Sequence, residues 1–520
     1  MLTPGRYTVD KGVLVFPYDE NVFMRNKTAT GSGKRWYTIW RIGCIVAVVG
    51  LFACGGNRPP LEPWHSENLT EEYSSGKSDE IQTFDDYRQL EDKLFAQLED
   101  KVYARTETGL DYALVRYSSG SAADPELRKP NWNHSFELPT DEPVGGVLLL
   151  HGMSDSPYTF RALGEALNKH NYWVIGPRLP GHGTAPSGLR NITWEDMASV
   201  VQLSVEHLAS KVGRKPIHIV GFSTGAALAL NFTLDALEGN LSPVPSSLVM
   251  ISPAIGIHPL AGLAALKNGL SYIPGLGRMA WLSIQPEFDP YKYNSFATNA
   301  GTQVHRVTRS VARRIGRWSN SGAPKTFPPT LVFLSTVDAT ITARAVVESF
   351  LRPLGPHGQE LVLFDINRFV ANDLLTINDP GPLTAKLMAD ETLPFTITFV
   401  TNENQESIQV VARHKDPFST VAPELYLLGI TWPTGVISLS HVALPFPPDD
   451  PLYGRRPPDD EGILFLGQMA IQGERGLLKI PYDWLVRLRH NPFYEYLESR
   501  SMAWMKRAGE NQTVVGETGN

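Results

Sequence analysis

The chain has 520 residues, 42% hydrophobic and 10% aromatic, enough to bury one large core or two ordinary ones. Its formal charge of −7 gives no general basis for nucleic-acid binding. The only two cysteines, Cys44 and Cys54, lie near the N-terminus, which excludes a disulfide, a cysteine nucleophile or a thiolate metal site from the rest of the chain.

From Asn21 to Leu61 there is no acidic residue, and Arg25, Lys27, Lys34, Arg35 and Arg41 precede an uncharged apolar run, Ile42 to Ala53. The run is shorter than the roughly 20 residues needed to span a bilayer and suits a signal segment. It ends in Leu51-Phe52-Ala53-Cys54, which resembles the bacterial lipobox. That resemblance implies lipid modification of Cys54 and a membrane-anchored lipoprotein of the cell envelope, with residues 1–54 as extension and leader. Met24 gives a leader of ordinary length. An uncleaved anchor over Trp36 to Ala53 is the alternative. Residues 55–80, rich in Gly, Pro, Ser and charge, read as a flexible tether.

A folded domain is expected over residues 81–509, with a disordered tail at 510–520. Phe84, Tyr87, Leu90, Leu94, Leu98 and Val102 have helical spacing. "DYALVRY" reads as an early strand and Ser118 to Glu142 as a long surface connection. From Val144 the pattern alternates. "VGGVLLLHG", "YWVIG", "IHIVGF", "SSLVMIS", "TLVFLST" and "QELVLFDI" read as buried strands, and "YTFRALGEALNKH", "WEDMASVVQLSVEHLASKV", "LALNFTLDAL" and "ARAVVESFL" as helices. Such alternation predicts an α/β fold, a mostly parallel sheet flanked by helices, with ligands at the carboxyl ends of the strands. A closing helix is expected near Asn491 to Lys506.

Three loops fall at those strand ends. The first is His151-Gly152-Met153 and the second Pro180-Gly181-His182-Gly183. The third is Gly221-Phe222-Ser223-Thr224-Gly225, where a strand passes through serine into an alanine-rich helix. A serine on such a sharp turn needs glycine two positions to either side, because side chains there would meet the neighbouring strand and helix. The N–H groups of Met153 and Thr224 are placed to hold a developing oxyanion.

These loops, in this order, closely resemble the α/β-hydrolase superfamily, particularly its carboxylesterase and monoacylglycerol lipase branch, over residues 144 to about 255. The resemblance implies a triad in the order serine, acid, histidine: Ser223, then Asp338 after "LVFLS", then His441 in "VISLSHVALPF". Asp365 is the rival acid; His357, His414 and His490 are the rival histidines. It also implies a helical cap at about 256–328, with Leu270, Tyr272 and Trp281 lining an apolar acyl pocket bordered by His151 and Gly152. The His151 ring is expected to brace its loop without transferring protons. Asp338 and His441 are farther apart than the family's usual spacing, and alternating runs around Asn402-Glu403-Asn404 predict an inserted β-hairpin within about 368–432. The expected function is ester hydrolysis on a small-molecule ester or lipid, with no cofactor, no metal and no nucleic acid, by a monomer. An acyltransferase or peptidase using the same triad, or a non-catalytic envelope lipid-binding module, remains the alternative.

Overall fold

The computed structural model describes residues 59–77, 79–256, 277–320, 326–370, 379–419, 424–457, 464–467 and 488–517. These lie within one unit, Arg58–Asn520. The leader, Cys54, Leu270 and Tyr272 fall outside the described residues.

Runs rich in Val, Leu, Ile and Phe, bounded by Gly, Pro and polar residues, form the sheet. Its strands are β1 Phe136–Leu138, β2 Gly145–Leu150, β3 Tyr172–Gly176, β4 Ile217–Phe222 and β5 Ser247–Ile251. A small separate hairpin, β6 Trp281–Ser283 with β7 Phe296–Ala297, comes next in the chain. The main sheet resumes with β8 Thr330–Ser335, β9 Gln359–Phe364, β10 Thr396–Asn402, β11 Gln409–Lys415 and β12 Glu424–Thr431. Its order is β1-β3-β2-β4-β5-β8-β9-β10-β11-β12, parallel from β3 through β10 and antiparallel at β1, β11 and β12.

Every residue of β2, β4, β5, β8 and β9 is buried, as expected for strands covered on both faces. Alternate side chains serve two cores. Leu148, Ile219, Met250 and Val332 pack with helices α1 Phe84–Lys101, α3 Trp194–Val212, α4 Thr224–Leu237 and α5 Thr298–Asn320. Val147, Val220, Val249 and Phe333 pack with α2 Arg161–Lys169 and α7 Tyr494–Glu517. Helices α1 and α3 begin with capping boxes on Thr83 and Thr193, which satisfy the first free N–H groups. Helix α6, Gly381–Ala389, lies between β9 and β10.

Several expectations are corrected. The stretch read as a tether is packed from Trp64 to Tyr73. Trp64 stacks on Tyr117 at 5.2 Å, Leu69 and Tyr73 are buried, and Glu72 holds the Arg178 guanidinium with two hydrogen bonds of 2.9 and 3.0 Å. Its few apolar residues each enter a specific socket, which its Pro-rich, charged composition conceals. "DYALVRY" is a 3₁₀ turn at Leu110–Tyr112 followed by loop. The Ser118 to Glu142 connection contains edge strand β1 and buried Ser121, Asp124 and Asn133. Helix α7 runs to Glu517, beyond Gly509 where a disordered tail was expected. "ARAVVESFL" is helical as expected, an α-helical turn at Ala343–Val346 continuing as a π-helix over Val347–Leu351.

The predicted hairpin is present as β10 and β11, and it widens the main sheet. The excursion leaves the end of β9 and returns to the same place. The Asn367 N–H donates to the Ile437 carbonyl at 2.7 Å, and its side-chain amide donates to the Val436 carbonyl at 3.0 Å. Among the described residues no helix is long and apolar enough to cross a membrane.

Candidate active site

Ser223 sits between β4 and α4 with φ 51° and ψ −113°, a backbone conformation that a residue with a Cβ adopts only under strain. The neighbouring chain holds it there. The Ser223 N–H donates to the Ile251 carbonyl at 3.0 Å, and the Ser223 carbonyl accepts the Ala254 N–H at 3.0 Å. A Cβ on Gly221 would stand 2.5 Å from the Ala226 Cα, and one on Gly225 would overlap the Leu150 carbonyl oxygen. Both flanking glycines are therefore fixed by close approach, as the sequence predicts.

Asp338 follows β8. Its Oδ2 is 2.7 Å from the His441 Nδ1, and its Oδ1 accepts the N–H groups of Thr340 and Ile341 at 2.8 and 2.9 Å. Burial alone would raise this carboxyl, but the His441 hydrogen bond and charge and the two backbone donors hold it below its usual value. His441 opens a short 3₁₀ turn, His441–Ala443. Ser335 Oγ donates to the Leu439 carbonyl at 2.9 Å and Ser440 Oγ to the Leu488 carbonyl at 2.6 Å, tying the histidine loop to β8 and to the chain before α7. The imidazole lies 5.0 Å, centroid to centroid, from the ring of Phe222, the residue before Ser223. The acid and histidine thus meet directly, beside the serine turn.

The rival acid has a different occupation. Asp365 binds Arg368 through both oxygens at 2.8 Å and accepts the Thr401 hydroxyl at 2.7 Å, fixing the start of the excursion.

His151 is fully buried. Its Nδ1 pairs with the Gly152 carbonyl at 2.9 Å, and its Nε2 accepts the Leu179 N–H at 3.1 Å, so the ring is the neutral Nδ1–H form. Burial pushes its pKa well down. It braces its loop as expected but, with both nitrogens spent on backbone, does not face a substrate. Gly152 is needed because a Cβ there would stand 2.6 Å from Asp155 Oδ2. Met153 is 9% exposed, and Thr224 is buried as the first residue of α4. Trp281, expected in an acyl pocket, is instead 1% exposed in the core, its ring edge-on to His65 at 5.0 Å.

One group of residues escaped sequence reading. Ser154, next to Met153, has φ 68°, and its carbonyl accepts the Tyr293 N–H at 2.8 Å. Asp155 pairs with Lys292. The segment "DPYKYN" is therefore clamped onto the loop that carries Met153. No motif marks such a contact; only the aromatic density of that stretch hinted at a packed role. Among the described residues no group of three or more His, Cys, Asp or Glu side chains is placed to hold a metal ion.

A serine turn at the carboxyl edge of a parallel sheet, with an Asp-His pair delivered beside it, defines a hydrolase class. The chain belongs to the alpha/beta hydrolase family, whose model matches residues 147–365. It is 36% identical over 197 residues to the thermostable monoacylglycerol lipase of Bacillus sp. (strain H-257), spanning 38% of this chain and 71% of that protein. It is 33% identical over 139 residues to the magnesium-chelatase 30 kDa subunit of Rhodobacter capsulatus, spanning 26% of this chain and 44% of that protein. Among solved structures, it is similar to the Paleococcus ferrophilus monoacylglycerol lipase at 19% identity and a TM-score of 0.35, covering 45% of this chain and 88% of the other.

Proposed function

We propose that the chain is a serine hydrolase of carboxylic esters, working through Ser223, His441 and Asp338 and a covalent acyl-enzyme. The observation that carries this is the 2.7 Å Asp338–His441 pair lying beside a serine held at positive φ. A serine hydroxyl is a weak nucleophile at its own pKa, so His441 Nε2 takes its proton as Ser223 Oγ attacks the ester carbonyl. Asp338 keeps the proton on Nδ1 and stabilises the imidazolium that forms. The oxyanion is received by the N–H groups of Met153 and Thr224; neither is engaged by another described residue. His441 then returns the proton to the leaving alkoxide, and water, deprotonated by the same imidazole, releases the acid.

The similarity to a monoacylglycerol lipase supports an acyl ester with an apolar chain as substrate. The N-terminal sequence pattern supports attachment of the enzyme to a bacterial envelope membrane through Cys54. Labelled palmitate incorporated by the wild type and absent from Cys54→Ala tests the attachment.

Hydrolysis of a series of p-nitrophenyl esters, with Ser223→Ala beside the wild type, tests the activity. Removal of the nucleophile should lower kcat by on the order of 10⁶. Fluorophosphonate labelling that persisted in Ser223→Ala would overturn the assignment.

A further inference from the structure

A cavity of about 720 Å³ has no triad or oxyanion residue among its walls. Its apolar surface comes from Pro59, Trp64, Leu114, Ile284 and Phe288. Leu110, on the same wall, is 96% exposed, and Leu114 is 38% exposed. The size is in the usual range for a small-molecule site, roughly 300 to 1,000 Å³.

Its charge is one-sided. Glu62, Glu107, Asp111 and the buried Glu287 line it, and no Lys or Arg does; burial pushes Glu287 up to about 7, so the standing negative charge is that of the first three. Three of these acids share one neighbourhood: the charges of Glu107 first, then Glu62 and Asp111, push the Tyr112 hydroxyl up. The Glu287 carboxyl accepts the N–H groups of Asn294 and Ser295 at 2.9 and 2.7 Å. The guanidinium of nearby Arg116 is turned to the Asn133 side chain and the Gly183 carbonyl, at 3.0 and 2.9 Å.

Four acidic side chains in one cavity raise the question of a metal ion, but they are not grouped closely enough to chelate one. A carboxylate-bearing fatty acid would meet the like charges of Glu62, Glu107 and Asp111. What remains is a ligand that brings its positive charge on an apolar body, the charge meeting Glu62, Glu107 and Asp111 and the body meeting Leu110, Leu114 and Ile284. We propose that this cavity is a binding site for an amphiphilic amine, an alkyl chain ending in an ammonium group, separate from the ester-hydrolysing site.

Calorimetric titration of the full chain with dodecyltrimethylammonium, below its micelle-forming concentration, tests this beside the same titration with dodecanoate. One saturable site for the ammonium is expected, with affinity for dodecanoate weaker by about tenfold or more. Glu107→Gln combined with Asp111→Asn, both exposed positions, should weaken ammonium binding by about fivefold and leave dodecanoate unaffected. Leu114→Arg, which sets a cation at the mouth, should abolish it. Unchanged thermal midpoints show that the variants fold. Equal binding of the two amphiphiles, uptake at many sites, or ammonium binding indifferent to Leu114→Arg would overturn the proposal. Ser223→Ala should bind the ammonium as the wild type does, so this result stands apart from the fate of the hydrolase reading.

Discussion

The Nδ1 of His441 lies 2.7 Å from the Oδ2 of Asp338, although 103 residues separate the two in the chain. The pair fixes which ring nitrogen carries the proton. Asp338→Asn keeps the shape but presents an amide, so the imidazole is held in the wrong tautomer. We expect kcat to fall by roughly ten-thousandfold with the fold intact, measured by ester hydrolysis and circular dichroism.

Asp365 supplies the matching control. Its carboxylate is committed to Arg368 and Thr401, so Asp365→Asn should lower the thermal midpoint while kcat stays within about twofold of wild type. A kcat loss comparable to that of Asp338→Asn would reverse the two assignments.

The strain at Ser223 separates stability from activity. Glycine relieves a φ of 51° at no steric cost, so Ser223→Gly should stabilise the protein by about 1 kcal/mol while ester hydrolysis disappears. Denaturant unfolding reads the first effect, and no gain there would mean that the turn is not strained.

Arg178 is 1% exposed and held by Glu72, with Glu91 at 3.5 Å. Replacing it with Met removes the cation that part-buried Glu72 and buried Glu91 share. Arg178→Met should cost about 3 to 5 kcal/mol, and residues 59–77 should become the first segment cut in limited proteolysis. Survival of that segment as in the wild type would show that its apolar anchors alone suffice.

Buried histidines set the response to acid. Burial lowers His65 and His182 to about 4 and His218 to about 3, and pushes His151 well down. Each is neutral in the fold and takes up a proton on unfolding below its free value of 6.5, so stability falls as pH drops through that window toward the folded pKa. Glu287, raised by burial to about 7, opposes one of them, since the fold binds its proton first between that pH and its free value of 4.5. His218→Gln should flatten the decline of the thermal midpoint between pH 6.5 and 4 by one proton's worth, about 1.4 kcal/mol per pH unit. An unchanged slope would mean His218 charges within the fold.

Legibility in the sequence followed the range of the interactions. The serine turn was readable because Gly221 and Gly225 answer to contacts within a few residues or with the adjacent strand. The sheet was readable because strands buried on both faces leave continuous apolar runs. Asp338 and His441 were implied by the family's order of triad members, and the two side chains lie in direct contact. The packed Trp64 segment was not readable, since its sockets are made by Tyr117 and Arg178, far along the chain. Trp281 was misplaced for the same reason: an aromatic residue near a cap looks alike whether it lines a cavity or, as here, seals a core. The Lys292–Asp155 and Tyr293–Ser154 contacts join segments with no shared pattern.

The hydrogen bond from Asn367 to Ile437 closes the excursion at its base. Everything from α6 through β12 therefore enters and leaves through one doorway, although β10 is also laid along β9 and sends Ile397 and Val400 into the two cores. Such an arrangement uncouples evolution of the sheet's far margin from upkeep of the reaction. A longer turn between β10 and β11 leaves that doorway unchanged, whereas the same change of length in the loops carrying Met153 or Ser223 would abolish turnover.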